Sequence, residues 1–261
     1  MIMNMGEIIK DAVRYPFLDL KKLVILGIII LINSICLDYL TVIGNVVVII
    51  ISIVIGLLSS IISNGYLFKI LKPSLAVGAE LPDFNDFNDM FIDGIKVLIV
   101  SIVYLIPAIF LIIIFFNESF TNILGIIITN PPTIIFKVIW GILGGMTILD
   151  IQYTIVLLYM IIIIPILYLG ITNMANNEGK LSTAFKFHEI INKIRIIGWG
   201  NIIIWYFLTG IFLLILLFIG LVIGIFNLKH PIPGLLLLSL IIAPYFYLYL
   251  YRAVALFYIS E

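Results

Sequence analysis

The sequence predicts an all-α polytopic transmembrane bundle of about six spans, and three observations carry that expectation. The 261-residue chain is 64% hydrophobic and only 11% charged, with a mean hydropathy of +1.31. A soluble domain carries roughly a quarter charged residues, so this chain has too little polar surface to be one. Its apolar residues come in runs of about 18 or more, the length that crosses some 30 Å of hydrocarbon. Those runs are continuous blocks of Ile, Leu, Val and Phe rather than alternating patterns. In lipid that favours helices, which satisfy their own backbone groups, over a barrel.

In chain order the spans are expected at 23–36, 42–62, 95–116, 151–170, 201–226 and 234–258. The first follows an amphipathic stretch. Asn33-Ser34-Ile35-Cys36 at its end matches no cleavage site, so it reads as a retained span. Asp38 falls in the turn that follows. Pro107, Pro165 and Pro244 lie inside the third, fourth and sixth spans and should kink them. The stretch 134–149 is apolar but short, and the distribution of basic residues decides its status. With six spans and both termini in the cytoplasm, the inner side holds Lys10, Arg14, Lys21, Lys22, Lys69, Lys72, Lys96, Lys180, Lys186, Lys193, Arg195 and Arg252. Only Lys137 and Lys229 remain outside. A seventh span would move Lys180 to Arg195, and Arg252, to the outer face. The stretch 117–150 therefore reads as an outer loop, capping the bundle or, at its Asn130-Pro131-Pro132 break, dipping back as a re-entrant loop.

Three amphipathic stretches, 7–15, 83–93 and 182–196, each precede a pair of spans. The plan is a three-fold parallel repeat of interfacial helix plus transmembrane hairpin. At 100° per residue, Phe84, Phe87, Phe91 and Ile95 share one face of the second stretch, opposite Asp86, Asp89 and Asp93. In the third, Phe187, Ile190, Ile191, Ile194 and Ile197 oppose Lys186, Glu189, Asn192 and Lys193. Both are expected to lie flat at the cytoplasmic interface with their apolar faces among acyl chains.

A few polar residues could carry chemistry. Asp86, Asp89 and Asp93, with Asp83 before them, offer hard oxygen ligands to a divalent cation. Solvation of the outer helix face explains them better, and pairing with the basic face of 182–196 is a third reading. Asn33 and Asn45 flank the first hairpin at similar depth and are expected to hydrogen-bond each other rather than coordinate a solute. Arg252, near the inner end of the last span, is a functional candidate by default, yet it lies close enough to the interface to snorkel.

Much is excluded. Net charge is zero, so no global field draws nucleic acid. Cys36 is the only cysteine, and with two histidines, His188 and His230, it cannot build a Cys–His metal site. No nucleophile–base pair, P-loop, dinucleotide turn or H-E-x-x-H helix is present. No cofactor is implied.

Several short motifs occur in a familiar order: Tyr15-Pro16-Phe17-Leu18-Asp19-Leu20-Lys21-Lys22, Asn64-Gly65-Tyr66, Leu81-Pro82-Asp83-Phe84, and Phe91-Ile92-Asp93-Gly94-Ile95-Lys96. Ala184-Phe185, Ile197-Gly198-Trp199-Gly200, Pro244-Tyr245 and Arg252-Ala253 continue the series, with Ala255 departing from an expected glycine. Together they resemble the archaeal, mostly methanogen, membrane family catalogued as domain of unknown function 4013. The resemblance implies a polytopic protein of the plasma membrane and transfers no catalytic or binding residue. The expected role is a non-enzymatic membrane module that engages membrane lipids, a membrane protein partner or a second copy of itself. A permease or channel is the alternative, although no stripe of small and polar residues stands out along a span. A lipid-modifying enzyme at the interface rests only on the acidic residues 86–93.

Overall fold

The computed structural model describes residues 4–40, 45–76, 78, 80–116, 151–226 and 236–260. The expected outer loop 117–150, with Lys137, and the stretch holding Lys229 and His230 lie outside the described residues. Within them the chain forms an all-α bundle without strands, and six helices are long and apolar enough to cross a membrane.

α1 (Met5–Arg14) starts on a capping box, in which the Asn4 side chain accepts from the Glu7 backbone and Glu7 accepts in return. A 3-10 turn over Tyr15–Phe17, set by Pro16, leads to α2 (Leu20–Ser34), capped by Asp19. A π-helical turn, Ile35–Leu40, ends the first span. α3 (Val46–Leu75) and α4 (Phe87–Phe116) follow, then α5 (Ile151–Asn176). Glu178 and Gly179 both take positive φ, +58° and +74°, which reverses the chain sharply after α5. A 3-10 turn, Leu181–Phe185, precedes α6 (Phe187–Ile197), which Gly198 ends at φ +91°. α7 (Trp199–Phe226) and α8 (Ala243–Ile259, after a π-helical turn at Leu238–Ile242) complete the bundle.

α3 and α4 are each 30 residues long, about 45 Å at 1.5 Å per residue. That exceeds the hydrocarbon thickness, so both project beyond it at one end. Their projecting turns carry Lys69, Lys72, Asp93 and Lys96. α1, α6 and the last turn of α8 gather at the same end, here termed the charged end.

The second amphipathic stretch is corrected. Residues 83–86 are not helical, because Pro82 and a left-handed Asp86 (φ +56°) hold them in a turn. The helix starts at Phe87 and runs unbroken into the span. The middle unit of the supposed three-fold repeat therefore has no interfacial helix of its own. The third stretch is a 3-10 turn and a helix rather than one helix. Its Ile190, Ile194 and Ile197 are buried on the bundle, while Phe187 and Ile191 stay exposed. α1 likewise docks on α8 and buries Ile8 and Ala12, and the 3-10 turn after it buries Tyr15.

The core is built around α8, whose residues from Phe246 to Tyr258 are buried throughout. α3 and α4 cross most closely. A Cβ on Gly65 would collide with the Met90 carbonyl, and one on Gly94 with the Ile61 carbonyl. Only glycine admits backbones at that separation, the small-residue packing on which membrane helices rely. α3 also buries Ser52, Gly56, Ser59, Ser60, Ser63 and Asn64. This is a small, polar stripe where none was expected. Its hydroxyls are hidden because they bond their own helix, Ser59 to the Ile55 carbonyl and Ser63 to that of Ser60.

Candidate functional site

Among the described residues the charged side chains that pair across the fold collect at the charged end in three clusters, each joining segments distant in sequence. Arg252 sits on α8, about two helix turns from its end, and only 2% of its side chain is exposed. Its Nε donates to Asp11 Oδ1 of α1 at 2.7 Å and its Nη1 to the Gly78 carbonyl. The guanidinium lies over the Tyr15 ring, 5.0 Å from its centroid, a cation–π contact. Tyr15 in turn donates to the Glu80 carbonyl at 3.2 Å, and burial pushes its phenol up to about 12. Arg252 therefore does not snorkel. It turns inward because Asp11 of α1, Gly78 and Tyr15 supply a carboxylate, a carbonyl and an aromatic face.

The second cluster forms at the charged end of α3 and α4. Asp93 is buried and accepts from Lys96 at 2.9 Å and Lys72 at 3.2 Å. The tight Gly179 turn packs against the same Asp93 and Lys96 atoms. Beside it Lys69 bonds the carbonyls of Asp83 and Asn85, each at 3.2 Å, and Asp86 at 3.4 Å. Lys22 pairs with Asp83 at 2.8 Å and donates to the Leu81 carbonyl at 2.6 Å. The Lys22 hydrogen bond holds the Asp83 carboxyl below its ordinary range. Phe84, on this turn, stacks on Tyr66 at 3.7 Å.

In the third cluster Asn173, buried on α5, donates to the Thr183 carbonyl at 2.8 Å and to Glu189 at 3.2 Å, and accepts from Tyr258 at 2.8 Å. One amide thus ties α5, the 3-10 turn, α6 and α8. Lys186, 2.7 Å from Glu189, is the main reason that carboxyl titrates below its ordinary range. Elsewhere a cleft of about 270 Å³ opens between α5, α7 and α8, with walls that include Ile164, Tyr168, Trp205, Thr209, Phe246 and Leu250. It is almost wholly apolar.

A family model described as "Protein of unknown function (DUF4013)" matches residues 48–225. The chain belongs to this family. No curated protein and no solved structure matches it. The DUF4013 match spans α3 to α7, and so includes Asp93 and Asn173 themselves, while Lys22 of the second cluster and Tyr258 of the third lie outside it. Asp11 and Arg252 fall on either side of the matched stretch.

Against this DUF4013 geometry the acidic trio separates. Asp93 is buried between two lysines, Asp86 faces Lys69, and Asp89 is exposed. Among the described residues no three His, Cys, Asp or Glu side chains come together as metal ligands would. Nor do the acids reach the basic face of 182–196: their partners lie on α2, α3 and α4. Asn33 and Asn45 do not pair. Asn33 donates to the Gly56 carbonyl at 2.8 Å, and Asn45 caps α3 through the Val48 backbone at 3.0 Å. Sequence reasoning passed over Asp11 and Asn173. Asn173, a polar residue inside an apolar run, carried a signal that could have found it. Asp11 carried none, since its partner lies 241 positions away.

Proposed function

We propose that this multi-pass membrane protein is a non-enzymatic module of the plasma membrane, both termini cytoplasmic, that works through contacts with lipid, a membrane protein partner or a second copy. One observation carries the reading. The buried polar side chains of the charged end hold segments of the chain to one another, Arg252 to Asp11 foremost, and so build a rigid collar. The placement of the termini is supported by the gathering of basic residues at that end. Asp86 and Asp93, which an interfacial enzyme would need free, face lysines. The apolar cleft between α5, α7 and α8 suits hydrocarbon rather than a polar solute.

A second reading, a permease, draws on the buried stripe of α3. Asn64 Oδ1 there has no hydrogen-bond partner among the described residues, and an unsatisfied buried acceptor is where a polar solute or water would bind. Proteoliposomes decide between the two. The module reading expects efflux of small ions, amino acids and sugars no faster than from empty vesicles. Flux that Asn64→Leu abolishes would establish the permease. Reporter fusions test the topology, with fusions at either terminus and after Lys186 all expected to read cytoplasmic; an external readout at Lys186 would refute it.

A further inference from the structure

The stretch from Lys10 on α1 to Lys21 on α2 carries positive charge that the fold leaves unanswered. Lys10, Arg14 and Lys21 are exposed, and among the described residues none has an acidic partner. The acids nearest in sequence are engaged elsewhere: Glu7 closes the capping box, Asp11 takes Arg252, and Asp19 caps α2 and faces Lys22. Lys10 and Arg14, four residues apart, share the face of α1 opposite the docked Ile8 and Ala12. Between Arg14 and Lys21 the chain leaves Phe17, Leu18 and Leu20 exposed to 62, 57 and 59%. These lie at the start of the first apolar span, which begins at Leu20. Bulky apolar side chains next to unpaired cations, at that depth, match a molecule with a negative head and an oily tail. The mount is stiff as well. Phe17 packs on the Tyr245 ring at 5.3 Å, and Tyr245 donates to the Val13 carbonyl at 2.9 Å, so α8 fixes the segment from behind.

We infer that Lys10, Arg14 and Lys21 with Phe17, Leu18 and Leu20 form a docking site for an anionic phospholipid, the cations holding its phosphate and the apolar trio its chains. This rests on the reading of the protein as a lipid-engaging module and names the lipid class and the place. A soluble acidic partner would leave the apolar trio unexplained. A preformed surface needs little ordering to bind.

The test uses the full chain in neutral detergent, titrated with dioleoyl phosphatidylglycerol or dioleoyl phosphatidylcholine and read by native mass spectrometry and thermal unfolding. Phosphatidylglycerol should bind and raise Tm, phosphatidylcholine should not, and added salt should weaken the difference. The variant K10Q/R14Q/K21Q should lose about fivefold in affinity per charge, on the order of a hundredfold in all. K10R/K21R should retain binding, and F17S/L18S/L20S should weaken the lipid while leaving inorganic phosphate without effect. Equal binding of both lipids, wild-type affinity in the triple glutamine variant, or a Tm shift by inorganic phosphate matching that of phosphatidylglycerol would overturn the assignment. Should the glutamine variant misfold, a lipid preference in the wild type that salt does not move would do the same. Solute flux in proteoliposomes would remove the module reading without altering these binding results, and loss of the lipid preference would leave that reading standing.

Discussion

Arg252 brings a full charge into an apolar helix and turns it away from water. A buried guanidinium is tolerable only while its partners remain, so breaking the pair costs far more than the pair contributes. Arg252→Gln should lower unfolding stability in detergent by on the order of 3 kcal/mol, seen as an earlier thermal transition. Arg252→Lys keeps the charge but not the planar fork that reaches Asp11 and Gly78 together, so it should fall between. The collar should also respond to pH. Asp83 and Glu189 titrate below their ordinary range, so their ion pairs support the fold above that range and the support vanishes as pH falls through the lowered values. Melting temperatures followed from neutral pH to about pH 3 should decline. Lys186→Gln should reduce the Glu189 share of that decline, leaving the part that the Asn173 hydrogen bond supplies. Tyr15 acts in the opposite sense: its raised value means stability is intact below about 10 and drains away as pH rises toward 12.

Helices were largely legible, because runs of bilayer length admit few other structures, and six of them are found. Their ends were not. A periodic apolar face at Phe84, Phe87 and Phe91 reads the same whether the helix lies on a membrane or continues into it. Pro82 and the left-handed Asp86 decide where it starts, and that backbone state has no pattern of its own. The stripe on α3 escaped notice for a related reason: a serine bonded to its own helix is, to its neighbours, a small apolar residue. The α3–α4 crossing yields a sharp expectation. Gly65→Ala and Gly94→Ala each place a methyl group against an opposing carbonyl, so each should cost about 1–3 kcal/mol as the helices part. Gly210→Ala, with nothing within 4 Å of its Cβ among the described residues, should be neutral in the same melting assay.

At the scale of the whole molecule the basic residues, not the apolar ones, organise the reading of six spans, and the polar clusters collect at the end where most of them lie. The sequence could announce that crowding but not its pairings, because every decisive partner is remote: Lys22 with Asp83, Tyr258 with Asn173, Arg252 with Asp11. Removing residues 1–14 would leave Arg252 without its carboxylate and uncover the α8 surface that Ile8 and Ala12 protect. That truncation should melt earlier than Arg252→Gln by itself.

The bond between Asp11 and Arg252 also sets a clock for biogenesis. The first helix leaves the ribosome long before the last, so throughout synthesis it waits with its buried face bare and its carboxylate unanswered. Insertion of α8 is then the event that locks α1 in place, and a nascent chain stalled before α8 leaves that face bare.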